Sequence, residues 1–296
     1  MTLRHRLAVN PLPWVIHDGM FDVSVATLTP ALRELGAIGF DALHADIPAG
    51  QTPDEYRGLL SDAGFRPAPG YFGADFAEDG AGDALVEAAR VHAAGQAALG
   101  LTEMFIAQNL SPERLARPAV GADASADRIA RIAEHLAAAA AASAAEGVTA
   151  ALHPHVGSWI ETEAEVRAVL DATAGSALAF GPDVGHLTWA GADAPGLVRE
   201  YRDRVVAAHL KDVDRAAAER ARARELDYWG ATGEEHVWAE PGRGGVDFDA
   251  VFAALGDDFT GWSVLEVDVP GLPTAEESAR ASFAFLTAQP FFAAVS

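Results

Sequence analysis

Eight short apolar runs punctuate the chain, and a stretch of helical character follows each: RLAVNPL, FDALHAD, RPAPGYF, TEMFIAQ, TAALHPH, ALAFGPD, VVAAHLKD and WSVLEVD. The helical stretches fall near residues 27–38, 53–64, 81–99, 125–146, 162–173, 193–203, 248–255 and 274–287. Several open with Thr-Pro, Ser or Asp. Such side chains accept the free N–H groups of a first helical turn, and proline is tolerated at its first position. Eight alternations fit the ~250 residues of one (β/α)8 barrel, an α/β TIM barrel, whereas a doubly wound sheet uses fewer strands and a glycine-rich first turn. No GxGxxG follows the first run. The alanine tract at 137–145 reads as helix rather than linker, because alanine is the best helix former and Arg131, Glu134 and Glu146 flank it. The expectation is one barrel domain over residues 1–296 with an extended loop after strand 7.

Half of the residues are apolar, enough to bury a full core in a chain of 296. The 43 acidic side chains outweigh 21 Lys and Arg, and the net charge of -22 repels phosphate backbones and anionic lipid surfaces. Neither nucleic acid nor membrane is an expected partner. The absence of cysteine excludes disulfides, thiolate zinc sites and thiol nucleophiles, so any metal is held by His, carboxylate or water. MTLRHRLAVNPLPW lacks the apolar segment of a signal peptide, and no apolar run reaches about 18 residues. A cytoplasmic protein is expected.

Barrel active sites form at the C-terminal ends of the strands, and the second half of this chain concentrates its polar residues there. Strand five ends in His153 and His155, and strand six in Asp183 with His186 just after. Strand seven ends in His209, Lys211 and Asp212, and strand eight in Glu266 and Asp268. A lone histidine in such a place is more often a hydrogen-bonded structural residue; four ligand-type residues at neighbouring strand ends reverse those odds. His153, Asp183, His209 and Glu266 can therefore meet at one ion. This mixed nitrogen and oxygen set suits Mn, Co, Fe, Zn or Mg and leaves positions for substrate oxygens.

His153 to Asp183 and Asp183 to His209 are 30 and 26 residues, one βα unit each, but His209 to Glu266 is 57. The surplus, residues 213–247, holds an Arg- and Glu-rich helix over 214–226 and then DYWGATGEEHVWAEPGRGG, and it reads as a lid or wall of the mouth. Trp14 and Trp189 follow strands one and six and are candidate apolar walls for a substrate. Glu240 is a candidate hydroxyl contact, while Gly242, Gly244 and Gly245 serve backbone conformation. His44, Asp46 and Gln108 end strands two and four at the same level as the ligand candidates.

LHPHVGSWIETEAEV, FGPDVGHLTWAGAD, HLKDV, EPGRGGVDF and VLEVDVP resemble the xylose-isomerase-like TIM-barrel superfamily of sugar isomerases, epimerases and dehydratases, and within it the inosose dehydratases. The resemblance covers essentially the whole chain and is strongest from about 150 to 270. It implies a divalent metal at His153, Asp183, His209 and Glu266, with His155, His186 and Lys211 nearby as catalytic groups. Many isomerases and epimerases of the superfamily carry Glu where His153 stands, whereas inosose dehydratases have a histidine cluster there. That departure implies the dehydratase branch and weakens a two-carboxylate proton shuttle.

The resulting expectation is a metal-dependent lyase, a dehydratase or β-eliminase, acting on an inosose or keto-sugar through an enediolate. A base of pKa near 7 points to His155 or His186, and Lys211 or the other histidine is the acid. A keto-sugar isomerase or epimerase shares the enediolate but returns the proton to carbon. A non-catalytic sugar-binding subunit is the third reading, and the charge of -22 argues against an abasic-site nuclease. The expected partner is a small polyhydroxylated ketone or keto-sugar; a homo-oligomer or a small partner subunit is compatible with the sequence.

Overall fold

The structure is a computed structural model that describes residues 3–17 and 20–293, so the outermost parts of the expected domain, 1–2 and 294–296, lie outside the described residues. Every apolar run carries a strand: β1 (Arg6–Val9), β2 (Ala42–His44), β3 in two segments (Arg66–Ala68 and Tyr71–Ala74), β4 (Glu103–Gln108), β5 (Thr149–Leu152), β6 (Ala179–Phe180), β7 (Ala207–Leu210) and β8 (Trp262–Leu265). The intervening helices are α1 (Val25–Ile38), α2 (Pro53–Asp62), α3 (Gly82–Ala98), α4 (Ala126–Ala145), α5 (Glu163–Ala172), α6 (Ala194–Glu200), α7 (Phe248–Leu255) and α8 (Ala275–Ala288). Reciprocal capping boxes open three of them: Ser24 with Thr27, Thr52 with Glu55, and Thr162 with Glu165. The alanine tract lies inside α4, where Ala139, Ala140 and Ser143 are buried. None of the helices among the described residues is long and apolar enough to cross a membrane.

The barrel strands pair in parallel in two sheets, one running β7-β8-β1-β2 to the first segment of β3, the other from its second segment through β4 and β5 to β6. Isolated parallel bridges, Phe180 to Val205 and Asp183 to His209, join β6 to β7. The third strand changes partners at its centre because Pro67 and Pro69 lack an N–H for a ladder and Gly70 passes close to β2. A Cβ at Gly70 would lie 2.2 Å from the Ala45 carbonyl oxygen. Ala8, Ala42, Ala68, Ala207 and Val264 pack with Phe105 and Trp262 in one buried cluster, and a larger cluster of Leu, Val, Ile and Phe packs the helices against the strands.

The long segment after β7 is itself folded. Asp212–Val213 pairs antiparallel with Trp238–Ala239, and helices at Arg215–Ala223 and Tyr228–Gly233 lie between them. The expected helix over 214–226 stops at Ala223, and Glu225 turns the chain with φ +54°. The Asp212 carboxylate accepts N–H groups from Val213, Gly242, Gly244 and Val246, which ties the GRG turn down; Gly242 sits there at φ +87°.

Candidate metal centre

Residues two apart on an extended chain face the same side, and the strand ends use that rule to build two tiers. In the lower tier His153, Asp183 and His209 bring ligand atoms within 4.8 Å of one another, all buried. His153 directly follows β5, its N–H donated to Ile106 of β4. Asp183 caps the short helix Val184–Trp189, where Oδ1 accepts the His186 N–H at 2.8 Å and Oδ2 is left over. That oxygen lies 3.7 Å from His209 Nδ1, and Glu266 Oε2 lies 3.5 Å from the same nitrogen.

Among the described residues, His153 Nδ1, Asp183 Oδ2 and both ring nitrogens of His209 are buried with no hydrogen-bond partner. Leaving such atoms unsatisfied costs roughly 1–3 kcal/mol each, and their convergence gives them one shared remedy. Two imidazoles and a carboxylate, with Glu266 adjoining, form a donor set that fits a divalent ion. Glu266 is held from two sides, accepting from Asn10 Nδ2 at 2.6 Å and lying 2.5 Å from Lys211 Nζ. Burial alone would raise its carboxyl pKa, but Lys211, His209 and His153 hold it well below the usual carboxylate range.

The upper tier holds His155, His186 and Asp268, whose ligand atoms also lie within 4.8 Å of one another. Lys211 stands among them with no exposed surface, Nζ 2.7 Å from Asp268 Oδ1, 3.1 Å from His186 Nε2 and 4.6 Å from the Trp238 ring. Burial works against its charge, but Asp268, Glu266 and Asp183 outweigh burial and keep the ammonium protonated well above its ordinary range. Gly185 makes the room, since a Cβ there would lie 2.8 Å from Lys211 Cβ.

Neither histidine of this tier titrates near 7 as expected. His155 is pushed down to about 4 by burial and by Lys211. His186 is held well below the usual range by burial and by His155 and Lys211. Its ring faces N–H donors at both nitrogens, Val156 N at 3.2 Å and Lys211 Nζ at 3.1 Å. A neutral imidazole accepts only one of them, and the charged donor makes the stronger bond. His155 donates Nδ1–H to the Val156 carbonyl at 2.7 Å, leaving Nε2 with the free lone pair. The group of this tier that lies near neutrality is Asp268, raised to about 6 by burial against the pull of Lys211.

Of the outer candidates, His44 joins the cluster, its ring 5.7 Å from His209 and its Nε2 3.6 Å from Asp46 Oδ2. Gln108 donates Nε2–H to Asp75 and keeps a buried Oε1 without a partner. Trp189 packs against Trp238 and Tyr228, centroids 5.1 and 5.3 Å away. Trp14 donates to Glu34 on α1, and Glu240 Oε1 accepts N–H from Gly271 and Leu272, which ties these two to α1 and to the loop after β8. Sequence reasoning missed Asn10, although it directly follows β1 as His153 directly follows β5. It also missed Tyr71 and Phe105, centroids 5.3 Å from His153 and 4.2 Å from His209.

Residues 213–238 roof the upper tier. Val213, Ala217, Tyr228, Val237 and Trp238 form an apolar cluster with Val156 and Trp189, and the Trp238 ring lies 4.8 Å from His186. The insertion, expected as a lid or wall over 213–247, thus packs its residues 213–238 against this tier. His153, Asp183, His186, His209 and Lys211 are each no more than 2% exposed.

A family model described as xylose isomerase-like TIM barrel matches residues 31–289. An inosose dehydratase of Geobacillus kaustophilus (strain HTA426) is 26% identical over 271 residues, covering 89% of this chain and 87% of that protein. One from Bacillus thuringiensis (strain Al Hakam) is 29% identical over 124 residues, 42% of this chain, so the match spans 41% of the relative's own length. Among solved structures, the IolI protein with a bound zinc atom has the same fold, with a TM-score of 0.69 at 15% identity over 95% of this chain and 96% of that one.

Proposed function

Because the chain belongs to the xylose isomerase-like TIM-barrel family, we propose that it is a divalent-metal-dependent carbon–oxygen lyase. It dehydrates an inosose or keto-sugar, or eliminates an alkoxide from one, through an enediolate. The observation that carries this reading is the stacking of the two tiers: a ligand set with unpartnered atoms lies beside a second cluster of His155, His186 and Asp268 around the Lys211 ammonium. The inosose dehydratases among the relatives support the same reading.

His153, Asp183, His209 and Glu266 are the proposed ligands. A divalent ion bound there supplies Lewis-acid stabilisation of the negative charge that develops as a ketone loses its α proton. His155 Nε2 is the proposed base and takes that proton. The electron pair moves to the carbonyl oxygen and then returns to expel the β-hydroxyl. Lys211, protonated and facing the tier, donates a proton so that the hydroxyl leaves as water. His186 accepts from Lys211 and fixes the direction of the ammonium. His44, Gln108 and Trp189 are the proposed substrate contacts; the unpartnered Gln108 Oε1 is an acceptor for a sugar hydroxyl. Trp14 and Glu240 act at one remove, by holding the loops that frame the mouth. The roof of Trp238 and Tyr228 excludes water, which strengthens every charge interaction inside.

The test is incubation of metal-supplied protein with inososes, 3-keto-glycosides and ketohexoses in deuterated water, read by NMR and mass spectrometry. Loss of water or of an alkoxide group supports the lyase. An isomer of unchanged mass apart from deuterium assigns an isomerase or epimerase instead, and no α-proton exchange with any ketone favours a binding subunit.

A further inference from the structure

The upper tier repeats the lower one a pleat further along the chain. His155 stands two residues beyond His153, Lys211 two beyond His209, and Asp268 two beyond Glu266, while His186 follows Asp183 on the short helix. Three of these four upper residues are metal-ligand types held at ligand spacing. The fourth is a lysine, and its ammonium lies against acceptors of two of them, 2.7 Å from Asp268 Oδ1 and 3.1 Å from His186 Nε2. Glu266 spans the tiers, with Oε2 3.5 Å from His209 Nδ1 and Oε1 2.5 Å from Lys211 Nζ. A carboxylate bridging two ions about 3.5–4 Å apart is disposed in the same way.

We propose that the Lys211 ammonium occupies the place of a second divalent cation. The native centre is mononuclear for that reason, and removing the lysine side chain opens a second metal site held by His155, His186, Asp268 and Glu266. The inference rests on the reading that the lower tier holds one ion.

Charge explains why one ion and one ammonium suffice. Asp183, Glu266 and Asp268 present three negative charges to this buried space, and one divalent ion with one ammonium balances them. Two divalent ions beside the lysine would exceed the three carboxylate charges by two, and two ions without it by only one; one ion without the lysine would leave a buried carboxylate unpaired, a state that favours uptake of another cation. The exchange also has a chemical sense. An ammonium carries a proton that can go to a departing hydroxyl, whereas a second ion only stabilises charge.

The experiment titrates chelator-treated wild type, Lys211→Met, Lys211→His and Lys211→Arg with Mn²⁺, reading stoichiometry by equilibrium dialysis and elemental analysis and the environment by EPR. Wild type and Lys211→Arg should bind one equivalent with the spectrum of an isolated ion. Lys211→Met and Lys211→His should each bind two and show a spin-coupled pair, and adding Asp268→Asn to Lys211→Met should restore one. Folded Lys211→Met and Lys211→His that both remain at one equivalent overturn the inference. So does a coupled pair in wild type, a result that needs no variant to fold. Wild type that binds no Mn²⁺ overturns the lower-tier assignment, and the inference with it.

Discussion

Asn10 donates from Nδ2 to Glu266 Oε2 over 2.6 Å, so the first strand of the barrel holds the carboxylate that ends the last. Groups that orient a metal ligand typically account for 10–100-fold of affinity. Asn10→Leu should weaken metal binding by about that factor in a chelator competition assay. Glu266→Gln and His153→Ala should each lower occupancy further. An affinity unchanged in Asn10→Leu would mean that Lys211 alone orients Glu266.

Lys211→Met should lower kcat by about 10²–10⁴-fold, the usual range for loss of a positioned proton donor, with little change in KM. The check is steady-state kinetics on whichever ketone the substrate panel identifies. Retained kcat would take the proton-donor role away from Lys211.

Arg114 is buried, with Nη1 2.9 Å from Glu161 and Nη2 2.5 Å from Glu165. Glu161 also accepts N–H from Ala119, Gly121 and Gly157, stitching the loops after β4 and β5 together. Arg114→Met removes the only positive charge that pairs with these carboxylates among the described residues, and should cost about 3–5 kcal/mol in denaturant unfolding. A loss below about 1 kcal/mol would resemble an exposed pair and would show that the backbone N–H groups suffice for Glu161.

His92 on α3 is held below the usual histidine range by burial, against the pull of Asp46. A base with a depressed folded pKa binds its proton more readily when unfolded. Its contribution to stability is therefore complete above the unfolded value of about 6.5 and is lost as pH falls through the lower folded value. His92→Phe preserves an aromatic ring beside Phe72 and should flatten the acid-side fall in Tm below pH 6.5. Parallel Tm curves for wild type and variant would assign that fall to other groups.

The features that were legible in the sequence depend on short stretches of chain. Each strand end shows its own polar residue, so the meeting of His153, Asp183 and His209 followed from the barrel alone. The pairing of His153 with His155 and of Glu266 with Asp268 in successive tiers follows from the two-residue repeat of an extended chain. Properties set by distant residues were not legible. His155 and His186 read as bases near 7, but desolvation and the neighbouring Lys211 drive their pKa values down. The position of the Lys211 ammonium depends on the missing side chain of Gly185, two strands' worth of sequence away from Asp268. RPAPGYF read as one strand, although its two prolines, visible from the outset, break its ladder between Ala68 and Tyr71.

In the proposed reaction the roof over the tiers would act as a gate as well as a wall. The ligand candidates and Lys211 are at most a few per cent exposed, whereas His155 and Asp268 keep part of their surface open, so the small polyhydroxylated substrate proposed above would reach the lower tier only past Trp238 and Tyr228. A shift of these residues would be a lid motion, of the kind that runs on the microsecond-to-millisecond scale in lidded enzymes. Where the proposed chemistry outpaces such a motion, turnover would be set by the chain after β7, from residues that never touch the substrate.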